Sequence, residues 1–242
     1  MENVSFLKRA THSSQYDLDD SHWDKEIGVD STRNFFYWEY LKNDIKQWKG
    51  KRVFEIGAGS GWLLQLAIKA GAADACGIEP ASKGVELARK MNPDILILQE
   101  TLEVHETGAA EFDVVLSVMV FSHIADIAGA FKKVRSLLSR NGEAIIIVPD
   151  FEYFRLPQKD YVVDIQNIDS HQYVAQLIRP SGTIADIIRT NNVYIEAAQK
   201  EGLTLVNSIP MIPTDAYLAR APKFAQSKEY AISQMLRFTV AK

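Results

Sequence analysis

The sequence predicts an α/β fold in which a parallel sheet is covered by helices on both faces. Apolar runs of strand length alternate with amphipathic runs of helix length, which is the pattern of such a sheet. A glycine-rich turn, VFEIGAGSGW at 53–62, follows the first apolar run and indicates a ligand that approaches the backbone closely. With 242 residues, 47% of them hydrophobic, the chain can build one sizeable core, and no repeat or flexible linker divides it.

Seven short apolar runs are the candidate strands. They are Arg52–Ile56, Ala75–Glu79, Ile95–Gln99, Asp113–Val118, Ala144–Val148, Leu203–Ile209 and Leu236–Val240. Four amphipathic segments between these runs are the candidate helices. They are Gly61–Ala70, Ser82–Met91, Ile124–Ser139 and Ile184–Lys200. Gly71, the Asn141–Gly142 pair and Gly202 follow three of these segments, where a helix end accepts a residue with positive φ.

Two regions lie outside this alternation and are candidates for covering a substrate. In the first, residues 31–50 predict a helix whose apolar side chains cover more than one face. The second, 151–183, is rich in Tyr and Phe and follows the fifth candidate strand, at the edge where open α/β sheets bind ligands. We predict a helical lid at residues 1–50 and a domain at 51–242 that carries a cover insertion at about 151–183. Scaffold packing is an equal alternative for both regions.

Composition disfavours nucleic acid and membranes as partners. The chain has 27 Lys and Arg residues against 31 Asp and Glu residues, a net charge of −4, whereas nucleic-acid binders are usually basic because they neutralise phosphates. No apolar run reaches the roughly 18 to 20 residues that cross a bilayer, and the first residues lack the apolar segment of a signal peptide. We therefore expect a cytoplasmic protein of undetermined oligomeric state. The lone cysteine, Cys76, excludes an intrachain disulfide and a multi-cysteine metal site, and we predict no bound metal.

The spacing of the glycines separates three classes of ligand. A triphosphate loop would need Gly-Lys-Ser/Thr after its spacer, and nothing beyond Gly57 supplies it. A dinucleotide turn spaces its glycines G-x-G-x-x-G, which would require a small residue at the position of Trp62. The chain instead reads Glu-x-Gly-x-Gly-x-Gly, through Glu55, Gly57, Gly59 and Gly61.

The segment FEIGAGSG resembles the first motif of class I S-adenosylmethionine-dependent methyltransferases. The run EFDVVLSVMVFSHIADIAGAFKKVRSLLSRNGEAIIIVPD is similar to the part of that family between its fourth and fifth strands. The resemblance implies a Rossmann-like, seven-stranded and mostly parallel sheet that ends in an antiparallel hairpin strand, here GLTLVNSIP and QMLRFTVAK. It also implies S-adenosyl-L-methionine as cofactor and S-adenosyl-L-homocysteine as product.

Residues at the carboxyl ends of the first four strands are the candidates for binding this cofactor. Glu79 closes the second strand about twenty residues beyond the glycines, where an acid can accept both hydroxyls of a ribose. The resemblance implies that the segment after the third strand meets adenine, although the family's usual Gly-Asp pair reads Gln99–Glu100 here. It implies further that backbone after the fourth strand meets the methionine ammonium and that Tyr16 contacts the cofactor carboxylate. The full set is Glu55, Gly57, Ala58, Gly59, Gly61, Glu79, Pro80, Glu100, Thr101, Leu102, Ser117, Val118, Met119 and Tyr16.

The absence of two sequence motifs excludes some classes of methyl acceptor. Residues 117–120 do not carry the Asp/Asn-Pro-Pro-aromatic motif of superfamily members that methylate base amines, and Cys76 lies in the wrong strand to attack a pyrimidine carbon. A small-molecule acceptor is therefore favoured, with oxygen ahead of nitrogen or carbon. The alternatives are a protein or RNA methyltransferase, a non-catalytic S-adenosylmethionine-binding protein and an NAD-dependent oxidoreductase.

One histidine is the leading catalytic candidate. His123 follows the fourth strand and can act as a general base if the acceptor must lose a proton, while fixing the loop is an equal alternative. Aromatic and histidine side chains of the two cover regions are the candidates for contacting the acceptor, and are weaker candidates for the base. They are Tyr37, Trp38, Tyr153 and His171, with Tyr16 as a further weak candidate for the base.

Overall fold

A seven-stranded sheet forms the centre of the computed structural model, which describes residues 32–106, 108, 111–158, 162–179 and 182–241. The described strands are β1 (Arg52–Ile56), β2 (Asp74–Ile78), β3 (Ile97–Leu98), β4 (Phe112–Val118), β5 (Leu138–Pro149), β6 (Val162–Asn167), β7 (Gln172–Arg179), β8 (Gly182–Arg189), β9 (Leu203–Met211) and β10 (Ser233–Val240). The central sheet has the order β3-β2-β1-β4-β5-β10-β9. Its first five strands are parallel, and β10 is antiparallel to both β5 and β9. The predicted mostly parallel sheet with a C-terminal antiparallel hairpin is confirmed.

Helices cover both faces of this sheet. They are α1 (Trp38–Lys46), α2 (Trp62–Lys69), α3 (Ser82–Met91), α4 (Ile127–Leu137), α5 (Asn191–Lys200) and the short α6 (Asp215–Leu218). Two large hydrophobic clusters form the core: α1 and α2 contribute to one, and α4 and α5 to the other. The first three predicted helices agree with α2, α3 and α4 to within about three residues at each end.

The fourth predicted helix, Ile184–Lys200, is wrong in its first half. Residues 182–189 form strand β8, and only Asn191–Lys200 is helical. Ile184 and Ile188 pack into the main core, while Ile187 packs into a separate small cluster on the other side of the strand. A short run that is buried on both faces has no period that distinguishes a strand from a helix, which explains the error.

Two of the three glycines predicted to end helices have a positive φ, and the third lies within a strand. Gly71 and Gly202 have φ values of 91° and 77°, as expected for residues that end a helix. Gly142 lies within β5, and its φ is not positive. A Cβ atom at Gly142 would lie 2.8 Å from the carbonyl oxygen of Phe112, so this glycine allows close approach of two strands.

Strands β6, β7 and β8 form a separate antiparallel sheet, which we call the accessory sheet. It lies in the chain between β5 and α5, and it continues to Arg189, past the predicted insertion end at residue 183. One face of it, including Tyr173 and Ile188, packs into the same core cluster as the N-terminal helix. The accessory sheet is therefore integrated into the domain at the carboxyl edge of the central sheet.

The N-terminal region enters the domain as one continuous helical segment. A π-helix at Arg33–Tyr37 runs directly into α1, and Gly50, with φ of 74°, follows it before β1. Phe36, Leu41 and Trp48 are completely buried against the core. Within the described ranges, no helix has both the length and the apolar character needed to cross a bilayer.

Candidate functional site

The glycine turn between β1 and α2 has a backbone that only glycine adopts easily. Gly57, Gly59 and Gly61 have φ values of 71°, 52° and 76°, in the left-handed region that strains other residues. A Cβ atom at Gly57 would lie 2.2 Å from Cγ2 of Val120, in the loop after β4. The missing side chain of Gly57 thus leaves room for Val120, so that the turn packs against the loop after β4 at the carboxyl end of the parallel strands. Ala58, between the first two glycines, is buried in the core.

Glu79 joins the end of β2 to this turn. Its Oε2 accepts a hydrogen bond from the backbone N–H of Gly59 at 3.0 Å, and its Oε1 accepts one from Ala81 at 2.8 Å. The carboxylate is thus fixed beside the glycines, and Pro80 is half-buried directly after it. A carboxylate oxygen has more than one acceptor position, so Glu79 can still accept from a ligand hydroxyl.

Asn92 supports the turn from the end of α3, a role that sequence analysis did not foresee. Its Nδ2 donates to the carbonyl oxygen of Ser60 at 2.8 Å, and its Oδ1 accepts from Nε2 of Gln65 at 2.5 Å. Buried Asn92 therefore couples the turn to the first helical turn of α2. No local sequence motif predicts this contact, because Asn92 lies far along the chain from the glycines.

Arg33 was also missed, and it brings a positive charge to the glycine turn from the N-terminal helix. Its Nη1 donates to Oγ of Ser60 at 3.1 Å, and its guanidinium carbon lies 6.0 Å from the ring centroid of Trp62. Burial lowers the pKa of Arg33 to about 10, an effect that the nearby Glu55 opposes, so the side chain is charged at neutral pH. Tyr16, the residue predicted to contact the cofactor carboxylate, lies outside the described residues.

Glu55 is a buried acid at the end of β1. It is only 3% exposed, and its Oε2 has no hydrogen-bond partner among the described residues. Burial raises the pKa of Glu55 well above its ordinary value; the charge of Arg33 opposes this shift, and that of Glu79 adds to it. Because burial disfavours the charged form of Glu55 while Arg33 stays charged, the Arg33 guanidinium can pair with an anionic ligand group beside the turn.

The segment after β3 is held in place by contacts between near neighbours in the chain. Oε1 of Glu100 lies 2.6 Å from Nδ1 of His105, and the carbonyl oxygen of Thr101 accepts from the His105 backbone N–H at 3.1 Å. Leu102 is buried in the core between them. The segment reaches the same edge of the sheet as the glycines, since β3 pairs in parallel with β2.

The end of β4 contains the strained backbone of the site. Met119 has φ of 60°, and no other non-glycine residue in the described part of the chain has a positive φ. Its backbone N–H donates to the carbonyl oxygen of Ile147 at 2.8 Å, which holds the chain in this conformation directly after Val118. The buried hydroxyl of Ser117 has no hydrogen-bond partner among the described residues. Strain of this kind is concentrated at functional sites.

His123 belongs to a buried polar network. Its Nδ1 lies 3.0 Å from Oδ1 of Asp186, which also accepts from the Ser122 hydroxyl at 3.0 Å. The imidazole also lies close to the backbone of Ala185 and Met119. Burial lowers the pKa of His123, and the Asp186 carboxylate opposes that shift. The neutral ring could accept a proton, but its hydrogen bonds favour the loop-fixing alternative.

The four candidate acceptor residues do not lie together. Tyr37, Trp38 and Tyr153 pack against one core cluster, and Tyr153 is buried with its ring centroid 4.8 Å from that of Phe154. His171 is exposed in the turn between β6 and β7. We find three of the four in one cluster, and His171 outside it.

Aromatic rings from three distant segments form the interior of the cover region. The Phe36 and Tyr217 rings stack with centroids 5.2 Å apart, and the Tyr217 and Phe224 rings stack at 5.4 Å. The OH of Tyr217 lies 3.2 Å from Oγ1 of Thr32. We call this set of rings the aromatic wall: Phe36, Tyr40, Tyr153, Tyr217 and Phe224. The contribution of residues 217–224 was not foreseen from the sequence.

The described residues contain no group of three or more His, Cys, Asp or Glu side chains that could hold a metal ion.

The chain is similar to known methyltransferases in sequence. A family model described as a methyltransferase domain matches residues 37–176, more than half of the chain. A ubiquinone biosynthesis O-methyltransferase from Pelagibacter ubique is 23% identical over 198 residues, which cover 77% of this chain and 80% of the relative.

Solved structures share the fold. An S-adenosylmethionine-dependent methyltransferase from Mesorhizobium loti has a TM-score of 0.66 at 20% identity, over 87% of this chain and 98% of that one. A 1,6-didemethyltoxoflavin-N1-methyltransferase from Burkholderia thailandensis, solved with 1,6-didemethyltoxoflavin and S-adenosylhomocysteine, has a TM-score of 0.58 at 14% identity, over 100% and 90%. At these identities the likeness concerns the fold.

Proposed function

We propose that this chain, which belongs to the methyltransferase-domain family, methylates an oxygen atom of a small-molecule acceptor. The chain is an S-adenosylmethionine-dependent methyltransferase with a class I fold. When bound, S-adenosylmethionine supplies an electrophilic methyl group on its sulfonium, so the protein has mainly to position the acceptor and exclude water. S-adenosylhomocysteine is the product left by that transfer.

The residues around the glycine turn fit this cofactor. The bare backbone of Gly57, Gly59 and Gly61 suits a ligand that runs closely over it, and the fixed carboxylate of Glu79 suits ribose hydroxyls. The segments 100–102 and 117–119 would hold the adenine and the methionine ammonium respectively.

We assign the cofactor carboxylate to Arg33. Its half-buried side chain lies beside the turn, and burial raises the pKa of the nearby Glu55. An arginine can make two parallel hydrogen bonds to a carboxylate, and such a pair is strong where water is excluded. We propose Arg33 for the role that the family resemblance implied for Tyr16, which lies outside the described residues.

The observation that carries the acceptor assignment is the aromatic wall. Phe36, Tyr153 and Tyr217 are buried against their neighbours, whereas Tyr40 and Phe224 stay partly exposed. A cover region so rich in aromatic rings favours a flat, largely apolar molecule, because burial beside rings stabilises such a ligand. The net charge of −4 argues against a nucleic acid. The name of the Pelagibacter relative, an O-methyltransferase, supports oxygen as the methylated atom.

The hydrogen bonding of His123 indicates which kind of acceptor oxygen the enzyme can methylate. Because the imidazole is bonded to Asp186 and to backbone, we infer that it holds the loop and does not remove a proton. An acceptor whose oxygen ionises without help, such as an acidic phenol, an enol or a carboxylic acid, needs no base from the protein. We propose that the acceptor belongs to this group and that the protein acts in the cytoplasm.

A two-stage experiment tests the proposal. S-adenosylhomocysteine is first added in a thermal melt, where a ligand at 100 times its dissociation constant stabilises by about 2.7 kcal/mol. Acidic phenols, enols, carboxylic acids, alcohols and amines are then incubated with S-adenosylmethionine, and products that gain one methyl group are identified by mass spectrometry. We expect turnover with the acidic oxygen compounds.

Several results would contradict the proposal. Methylation of RNA or protein without any small-molecule turnover would support the polymer alternative. Turnover of amines alone would move the methylated atom to nitrogen. Binding of S-adenosylhomocysteine without transfer to any acceptor would support a non-catalytic binding protein.

A further inference from the structure

Two charged residues of the accessory sheet are buried against the loop that follows β4. Asp186 and Arg189, both on β8, are only 6% and 2% exposed. Neither belongs to the central sheet or to any segment with a recognisable cofactor motif. Buried charges are costly unless they are paired and hydrogen-bonded, so their partners indicate their role.

Arg189 binds the loop through its carbonyl oxygens. Its Nη1 donates to Phe121 at 3.1 Å, and its Nη2 donates to Ile124 at 2.8 Å and to Ala125 at 3.3 Å. Its Nε donates to Oε1 of Gln172 on β7 at 3.1 Å. Arg189 thereby fixes residues 121–125 to the accessory sheet.

Asp186 connects the accessory sheet to the strained end of β4. Its Oδ1 meets both the Ser122 hydroxyl and Nδ1 of His123 at 3.0 Å. The same imidazole lies against the backbone of Met119, whose φ is 60°. A continuous set of contacts thus leads from β8 through His123 to the residue that ends β4.

We propose that Asp186 is a positioning residue that holds, through His123, the Met119 backbone in the conformation that receives the amino-acid end of the cofactor. The proposal rests on the assignment of residues 117–119 to the methionine ammonium. It follows from the geometry because a left-handed methionine persists only where its surroundings hold it, and Asp186 orients the ring that contacts it. The accessory sheet is then part of the cofactor site as well as a cover for the acceptor.

The test measures cofactor binding and requires neither an acceptor nor a proton transfer. The Asp186→Asn variant is compared with the wild type by calorimetric titration with S-adenosylhomocysteine. We expect its dissociation constant to rise about tenfold, the effect of replacing a charged hydrogen-bond acceptor by a neutral one. 5′-Methylthioadenosine, which lacks the amino acid, is expected to bind both proteins equally. If the substitution instead disturbed the whole site, both ligands would bind more weakly.

The path through the imidazole is tested by a double-mutant cycle. We expect His123→Asn to weaken the binding of S-adenosylhomocysteine to a similar degree. The double variant should lose little more affinity than either single variant. Additive losses would contradict the proposed path.

A matched control removes an ion pair of similar burial elsewhere. Asp44 pairs with Arg237 at 2.8 Å, beside Glu143 in the first half of β5 and away from the carboxyl ends of the strands. Asp44→Asn is expected to lower the melting temperature without changing the affinity for S-adenosylhomocysteine.

Unchanged affinity in folded Asp186→Asn would overturn the positioning role. If that variant does not fold, Ser122→Ala and His123→Asn take its place, and wild-type affinity in both would overturn it equally. A wild-type protein that fails to bind S-adenosylhomocysteine at all would refute the cofactor assignment instead.

Discussion

The two halves of the candidate site are built in different ways. The cofactor half is formed by short segments at the ends of β1 to β4, and much of its surface is backbone fixed by glycines with positive φ. The acceptor half is formed by the aromatic wall, whose rings come from the N-terminal helix, the turn after β5 and residues 217–224.

This difference has a physical origin. A ligand bound by backbone constrains which residues can occupy the turn, because a Cβ atom would collide or force strain. A wall of packed rings constrains mainly size and apolarity, which several side chains satisfy. Adding or removing a few atoms in the cofactor half should therefore change ligand affinity strongly. Conservative substitutions in the acceptor half should have small effects.

The largest expected effect is that of adding one methyl group to the glycine turn. Gly57→Ala places a Cβ 2.2 Å from Val120 and forces alanine to adopt φ of 71°. Overpacking costs about 1–3 kcal/mol and the left-handed conformation about 1–2 kcal/mol. If the turn relieves this strain by leaving its binding conformation, calorimetry should show affinity for S-adenosylhomocysteine reduced by about thirtyfold or more.

Gly50→Ala is the matched control for this change. Gly50 has nearly the same φ, 74°, but a Cβ atom there meets nothing within 4 Å. We expect a loss of about 1–2 kcal/mol in stability and an unchanged affinity for S-adenosylhomocysteine. If the two variants bound the ligand equally well, the turn would not be the binding surface.

The second effect is that of removing the charge of Arg33. Arg33→Gln should weaken S-adenosylhomocysteine about ten- to hundredfold, since hydrogen bonds between charged groups contribute about 1.5–3 kcal/mol. Binding of 5′-methylthioadenosine, which has no carboxylate, should change little. Equal weakening of both ligands in calorimetric titrations would show that Arg33 supports the turn but does not contact the carboxylate.

Arg33 also illustrates what could be predicted from the sequence. The fold, the glycine turn and Glu79 were predictable because strand alternation and backbone strain restrict the residues at those positions locally. Arg33 and Asn92 were not, since each reaches the turn through the tertiary fold and lies in an ordinary helical segment. The accessory sheet was missed because β8 is buried on both faces and has no strand period.

A third prediction concerns the stability cost of the cofactor half. Folding raises the pKa of Glu55, so the native state holds this proton more tightly than the unfolded chain. Stability is therefore lost as the pH rises from the ordinary value of 4.5 toward the raised pKa. Glu55→Gln cannot ionise and should escape this loss.

Thermal melts of the two ligand-free proteins between about pH 5 and pH 8 check this sign. The melting temperature of Glu55→Gln, relative to the wild type, should increase as the pH rises, by roughly 2–4 °C for each kcal/mol. A difference that stays constant across the series would mean that Glu55 ionises as freely in the folded protein as in the unfolded chain.

The smallest effect is expected in the aromatic wall. Tyr217→Phe keeps the ring that stacks on Phe36 and Phe224 and removes only the OH that meets Thr32 at 3.2 Å. One neutral hydrogen bond contributes about 0.5–1.5 kcal/mol, so the melting temperature should fall by only a few degrees, and S-adenosylhomocysteine should bind as in the wild type. Because the wall acts through packing, Tyr217→Ala should by contrast cost about 3–5 kcal/mol. A large loss of ligand affinity in Tyr217→Phe would show that the two halves are not independent and that the hydroxyl reaches the cofactor.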